Sequence, residues 1–248
     1  MEQLLDELRA YGRYLELEDN IPYWESRIPE LQARLEEMKW NQQQKETELL
    51  SLREPGFFQR VFGRAEEKKE KINAQIRQIT SARTAAQWEL DGLEKQIAAG
   101  RLELESLEGS RSRYEAARAA AVLSPGQESQ LMMEEITAFA PVALETAWHV
   151  FEALEDARPW MQKDALTTRV GQDNRKMECL SKAEAAAIRL KDILEVLPEG
   201  VAPVGSYLKA PRDYIYGVTS EFKQLDRLNQ AQEQIRTVRT QLKLLLGE

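Results

Sequence analysis

Residues 72–114, INAQIRQITSARTAAQWELDGLEKQIAAGRLELESLEGSRSRY, decide the fold. Ile72, Ile76, Ile79, Arg83, Ala86, Leu90, Leu93, Ile97, Gly100, Leu104, Leu107, Arg111 and Tyr114 step by four and three in alternation, and ten of the thirteen are apolar. A helix turns 3.6 residues at a time, so this spacing lays one apolar seam along its length, and a seam sustained over more than three heptads is the pattern of a coiled coil. A second run precedes it. Ile28, Leu31, Leu35, Met38, Gln42, Lys45, Leu49 and Leu52 follow the same rhythm, six of the eight being apolar.

Glu54-Pro55-Gly56 separates the two runs. Proline and glycine stop helices, so two heptad helices meeting there predict an antiparallel hairpin with its tip at 54–65. The first arm, Pro29 to Arg53, spans ~37 Å at the helical rise per residue. The second helix is expected to reach about Val122 and so needs a partner for its far half. Residues 2–18 can supply one, because Leu4, Leu8, Tyr11 and Leu15 share a helical face. That first helix is expected to stop at Asp19-Asn20-Ile21-Pro22, with Pro29 kinking or restarting the chain. Gln42, Lys45 and Arg83 interrupt the seam. Either their polar ends reach water at its edge, or they set the register. Trp40 and Trp88 lie off the seam, and a further helix or a second copy would cover them.

Leu123-Ser124-Pro125-Gly126 marks the clearest boundary. Beyond it a helix over about 127–157 carries Leu131, Ile136, Phe139, Ala143, Ala147, Val150 and Leu154, broken or kinked by Pro141. Another starts at Pro159, is interrupted near Gly171–Asn174, and resumes to a stop at Pro198-Glu199-Gly200. A loop over 198–213 leads to a last helix over about 213–246. No strand-like alternation occurs. The reading is therefore all-α: a long antiparallel coiled-coil hairpin with a C-terminal helical bundle. Residues 1–124 hold the N-terminal helix and hairpin, 125–248 the bundle, with residues 1–20 and the base of the long helix docked on it.

Composition narrows the function. The 248 residues include 12 Gly and 9 Pro, too few for a loop-rich β-sandwich, with one Cys and one His, too few for a Cys/His zinc site or a paired Glu-x-x-His di-iron bundle. Lone Cys179 closes no intramolecular disulfide and is expected to be buried and inert. The net charge is −8, and a cut at residue 125 leaves each half at −4, so neither half is a basic module and no nucleic acid is expected as partner. No run of 18 apolar residues is present, and MEQLLDELRAYGRYLEL lacks the basic-then-apolar order of a signal peptide. The expected location is cytoplasmic, with membrane association through the hairpin tip as an alternative.

The tip holds three of the six phenylalanines. Phe57, Phe58, Val61 and Phe62 share a helical face edged by Arg60 and Arg64. Burying each ring is worth about 1.5–3 kcal/mol, and the end of a hairpin offers little core. The rings can plug the hairpin, meet a protein partner, or enter a membrane interface beside anionic headgroups. A second contact candidate is the aromatic and basic set Tyr207, Lys209, Arg212, Tyr214 and Tyr216.

Glu145, His149 and Glu152 share a face at i, i+4, i+7, a spacing open to a metal but more simply read as ordinary hydrogen bonding, on the helix surface or between helices. RAEEKKEK at 64–71 reads as a solvated helix face. Phosphate loops, nucleophile elbows, zinc-protease motifs and EF-hand loops are all missing, and no cofactor or catalytic residue is expected. The function expected is a non-catalytic interaction or scaffold protein showing its tip to a protein partner, with self-association as a second property. The alternatives are a peripheral membrane protein using the tip and an enzyme with an unrecognised site in the C-terminal bundle.

Overall fold

A computed structural model of the protein describes residues 1–52, 64–166, 173–198 and 221–248. These residues are all-α, with six helices and no strand among them: α1 Glu2–Ser51, α2 Arg64–Ser106, α3 Ser110–Ala120, α4 Pro125–Leu166, α5 Asp173–Glu195 and α6 Glu221–Leu246. The chain divides into two compact units. Met1–Asn20 with Glu103–Glu248 form the first, and Ile21–Leu102 the second.

The first unit holds the larger core. Its central element is α4, which packs on both α5 and α6. Leu131, Phe139, Ala140, Ala143, Ala147, Val150, Leu154, Ala157 and Met161 of α4 are all fully buried. Alanines let the helices approach closely, while Leu190 and Ile193 of α5 and Leu228, Val238 and Leu242 of α6 fill the space between. Leu4, Leu8, Tyr11 and Leu15 of α1, which share a helical face by spacing, are buried in the same cluster. Where α1 crosses α4, a Cβ added to Gly12 would sit 3.3 Å from the Ala138 Cβ, so glycine is what permits this approach.

The second unit consists of the remainder of α1 and most of α2. Every seam position from Ile28 to Leu52 and from Ile72 to Gly100 is buried or half-buried. Polar pairs join the two helices in opposite residue order: Glu25 with Arg101 at 2.5 Å, Gln42 with Arg83 at 3.0 Å, and Glu48 with Lys68 at 3.1 Å. That order is antiparallel. Arg83 donates to the Gln42 carbonyl, so two of the polar seam residues satisfy one another across the pair. Of the hairpin tip that would join these helices, 54–63 lie outside the described residues and 64–65 begin α2.

Several expected breaks are absent. The first helix does not stop at Asp19–Pro22, since α1 passes through Pro22 and Pro29. Likewise α4 is neither broken at Pro141 nor restarted at Pro159. An internal proline costs a helix about 3 kcal/mol, and for α4 that is small beside the nine fully buried side chains on either side of the two prolines. The long second helix instead ends early, at Ser106 rather than near Val122, although the heptad spacing runs on through Arg111 and Tyr114. Gly109 causes this. It adopts φ 76°, a left-handed conformation unfavourable for other residues, and Ser110 N–H bonds back to Leu107 O at 3.0 Å before α3 begins. The boundary at Ser124-Pro125 is a helix start. Gln127 Oε1 accepts from both the Ser124 backbone N–H and its hydroxyl, each at 3.0 Å, with Pro125 as the first helical residue.

Candidate functional site

The tip residues Phe57, Phe58, Arg60, Val61 and Phe62 lie outside the described residues, and Arg64 is the first residue of α2. Tyr207, Lys209, Arg212, Tyr214 and Tyr216 also lie outside them. The predicted breaks near 171–174 and over 198–213 fall largely in the same segments.

The densest polar constellation that is described centres on Asp19, in the stretch where a turn was expected. Asp19 is 2% exposed and His149 is 5% exposed. Asp19 Oδ2 lies 2.8 Å from His149 Nδ1 and 2.9 Å from the Thr146 hydroxyl, and Oδ1 accepts from Arg189 Nε at 2.8 Å. A carboxylate only accepts, so the His149 proton in this contact resides on Nδ1. Burial by itself pushes the Asp19 carboxyl up. The donors His149 and Arg189, through hydrogen bonds and charge, outweigh burial and hold it below its ordinary value. Beside it, the Asn20 amide reaches Glu145 Oε2 at 3.4 Å.

One carboxylate thus ties α1, α4 and α5 together. Thr146 and His149 are presented by α4 three residues apart, on one face. Of the face Glu145, His149 and Glu152, where bonding on the helix surface or between helices was expected, His149 bonds between helices. Its acceptor, 130 residues earlier, carried no signal in the sequence. Among the described residues no group of three His, Cys, Asp or Glu is arranged to hold a metal ion.

A second buried carboxylate, Glu135 of α4, accepts the Tyr114 hydroxyl and pairs with Arg118 at 3.1 Å. Burial, reinforced by the Glu135 hydrogen bond, pushes the Tyr114 phenol well above its ordinary value. Tyr114 stacks on Tyr11 with centroids 5.9 Å apart, and Phe139 meets Tyr11 edge-on at 5.4 Å. Cys179, expected to be buried, is only partly so, because it borders the core rather than entering it.

The exposed aromatics differ in kind. Trp148 stacks on Phe151 and is covered by Arg239, 4.8 Å from its ring centroid. In the second unit Trp40 is 60% exposed and Trp88 is 73% exposed. Trp88 edges a groove between α1 and α2 that also includes Leu35, Glu36, Lys39, Arg83 and Asp91.

Charge separates along the same division. The second unit, residues 21–102, carries 14 basic and 13 acidic residues, a net +1, whereas the first carries 20 and 29, a net −9. The cut at residue 125 conceals this contrast. No family model, curated protein or solved structure matches the chain. No described helix is long and apolar enough to cross a membrane.

Proposed function

We propose that the chain is a non-catalytic interaction protein of the cytoplasm. It presents the aromatic, basic-edged segment Phe57–Arg64 to a protein partner, with the two heptad helices as its mount. The observation that supports this most is how the chain spends its chemistry. The single imidazole, which any His-based acid–base mechanism would require, is 5% exposed and held by a buried carboxylate. Meanwhile Trp40 and Trp88 stand in solvent. Large exposed aromatics are the usual anchors of protein contacts.

The test compares the full chain with Phe57→Asp/Phe62→Asp as baits, both checked for equal helicity. A discrete set of proteins held by the wild type and lost by the variant is the expected result. Identical capture by both overturns the role of the tip. Flotation with anionic phospholipid vesicles, lost in the same variant, would replace the protein partner by a membrane surface.

A further inference from the structure

We propose that the groove edged by Trp88 in the second unit is a self-association site, and that its occupant is the same groove of a second copy of this chain. Three observations converge on it. The first is the unpartnered ring. Trp88 is 73% exposed, and no described residue covers it as Arg239 covers Trp148.

The second is the order of charges along the groove. Arg83 and Asp91 lie eight residues apart on α2, so their levels differ by about 12 Å. Lys39 of α1 belongs to the Arg83 end, because Gln42, one turn further along α1, accepts a hydrogen bond from Arg83. The groove therefore has a basic end, Arg83 and Lys39, and an acidic end, Asp91 with Leu35 and Glu36 close to its level, and Trp88 lies between; Lys39 also reaches Glu36 at 3.6 Å on its own helix. A two-fold axis through the centre reverses the direction of the second groove. Each basic end then meets an acidic end, while the two Trp88 rings meet near the middle. A uniformly charged groove would select a partner of opposite sign; this one complements itself.

The third is net charge. Residues 21–102 sum to +1, so this unit adds little like-charge repulsion of its own when two copies meet here, whereas a contact through the first unit would set −9 against −9.

Sedimentation equilibrium on the full chain over ~1–100 μM, the range where a modest interface associates, tests this directly. A monomer–dimer equilibrium is expected. Asp91→Lys places basic residues at both ends of the groove, and Lys39→Asp weakens its basic end; each should weaken association about tenfold. The double variant Lys39→Asp/Asp91→Lys reverses the two charges together and should return to within about threefold of the wild type. Trp88→Ala should weaken it about tenfold through lost contact alone. Unchanged far-UV circular dichroism in every variant separates these effects from misfolding.

A chain monomeric at the highest concentration overturns the proposal. So does a dimer indifferent to these substitutions, or a double variant no tighter than the single ones. Phe57→Asp/Phe62→Asp should leave the dimer intact. Loss of the dimer in that variant would move the contact to the tip, whereas failure of the groove would leave the tip proposal untouched.

Discussion

Asp19 shows how much one residue can hold and how little its neighbours in sequence announce. Breaking a buried ion pair costs about 3–5 kcal/mol because the surviving charge is stranded. Asp19→Ala would remove the carboxylate that Arg189 Nε and His149 Nδ1 share, while the Thr146 hydroxyl would keep the Val142 carbonyl at 2.9 Å. A loss of that size is expected in urea unfolding at neutral pH. The pH dependence has a definite sign. The folded carboxyl titrates below its unfolded value, about 3.9. Its stabilisation is therefore present above that pH and is lost as pH falls through the folded value. Wild type should lose more stability than Asp19→Asn between neutral pH and about pH 3, a difference that parallel denaturant titrations will read. Gly12→Val makes a steric counterpart: overpacking against Ala138 should cost about 1–3 kcal/mol. Neither site was legible in the sequence. Asp-Asn-Ile-Pro has the composition of a turn, and Asp19 finds His149 and Arg189 only across 130 and 170 residues.

At the scale of the element, periodicity was the reliable signal and punctuation the unreliable one. The seams over 28–52 and 72–100 appear as alternating burial in the second unit. The helical faces of Leu4–Leu15 and Leu131–Leu154 appear in the core of the first. Proline was misleading as a stop because its cost is local and bounded, while burial accumulates along a helix. Pro141 is exposed and inside α4. Restoring a backbone donor there with Pro141→Ala should raise stability by about 1–3 kcal/mol, measured by the denaturation midpoint at constant m-value. Glycine works the other way. Gly109 holds a positive φ, so Gly109→Ala should cost about 1–2 kcal/mol. The heptad count runs straight through this position, since periodicity reads side chains and is blind to a backbone dihedral.

Across the whole molecule, burial and charge are both unevenly shared. The first unit surrounds α4 with two helices, whereas the second relies on the seam between α1 and α2, where only Ile21, Leu31, Leu52, Ile72, Ala86, Leu90 and Ile97 are buried among the described apolar residues. Native-state hydrogen exchange should therefore show the amides around Val150 and Leu154 among the slowest, and those of 66–80 orders of magnitude faster, because fewer apolar contacts must open to release them. Equal protection in the two stretches would contradict that ranking. What the sequence determined by itself was the all-α class, the helical faces and the two heptad registers, because each follows from side-chain spacing within one helix. Only the tertiary structure decided that helices continue past their prolines and that Asp19 and Glu135 are sealed among donors from other helices. Those outcomes depend on which distant surfaces meet, and the free energy of that meeting outweighs the local preferences that a linear reading can see.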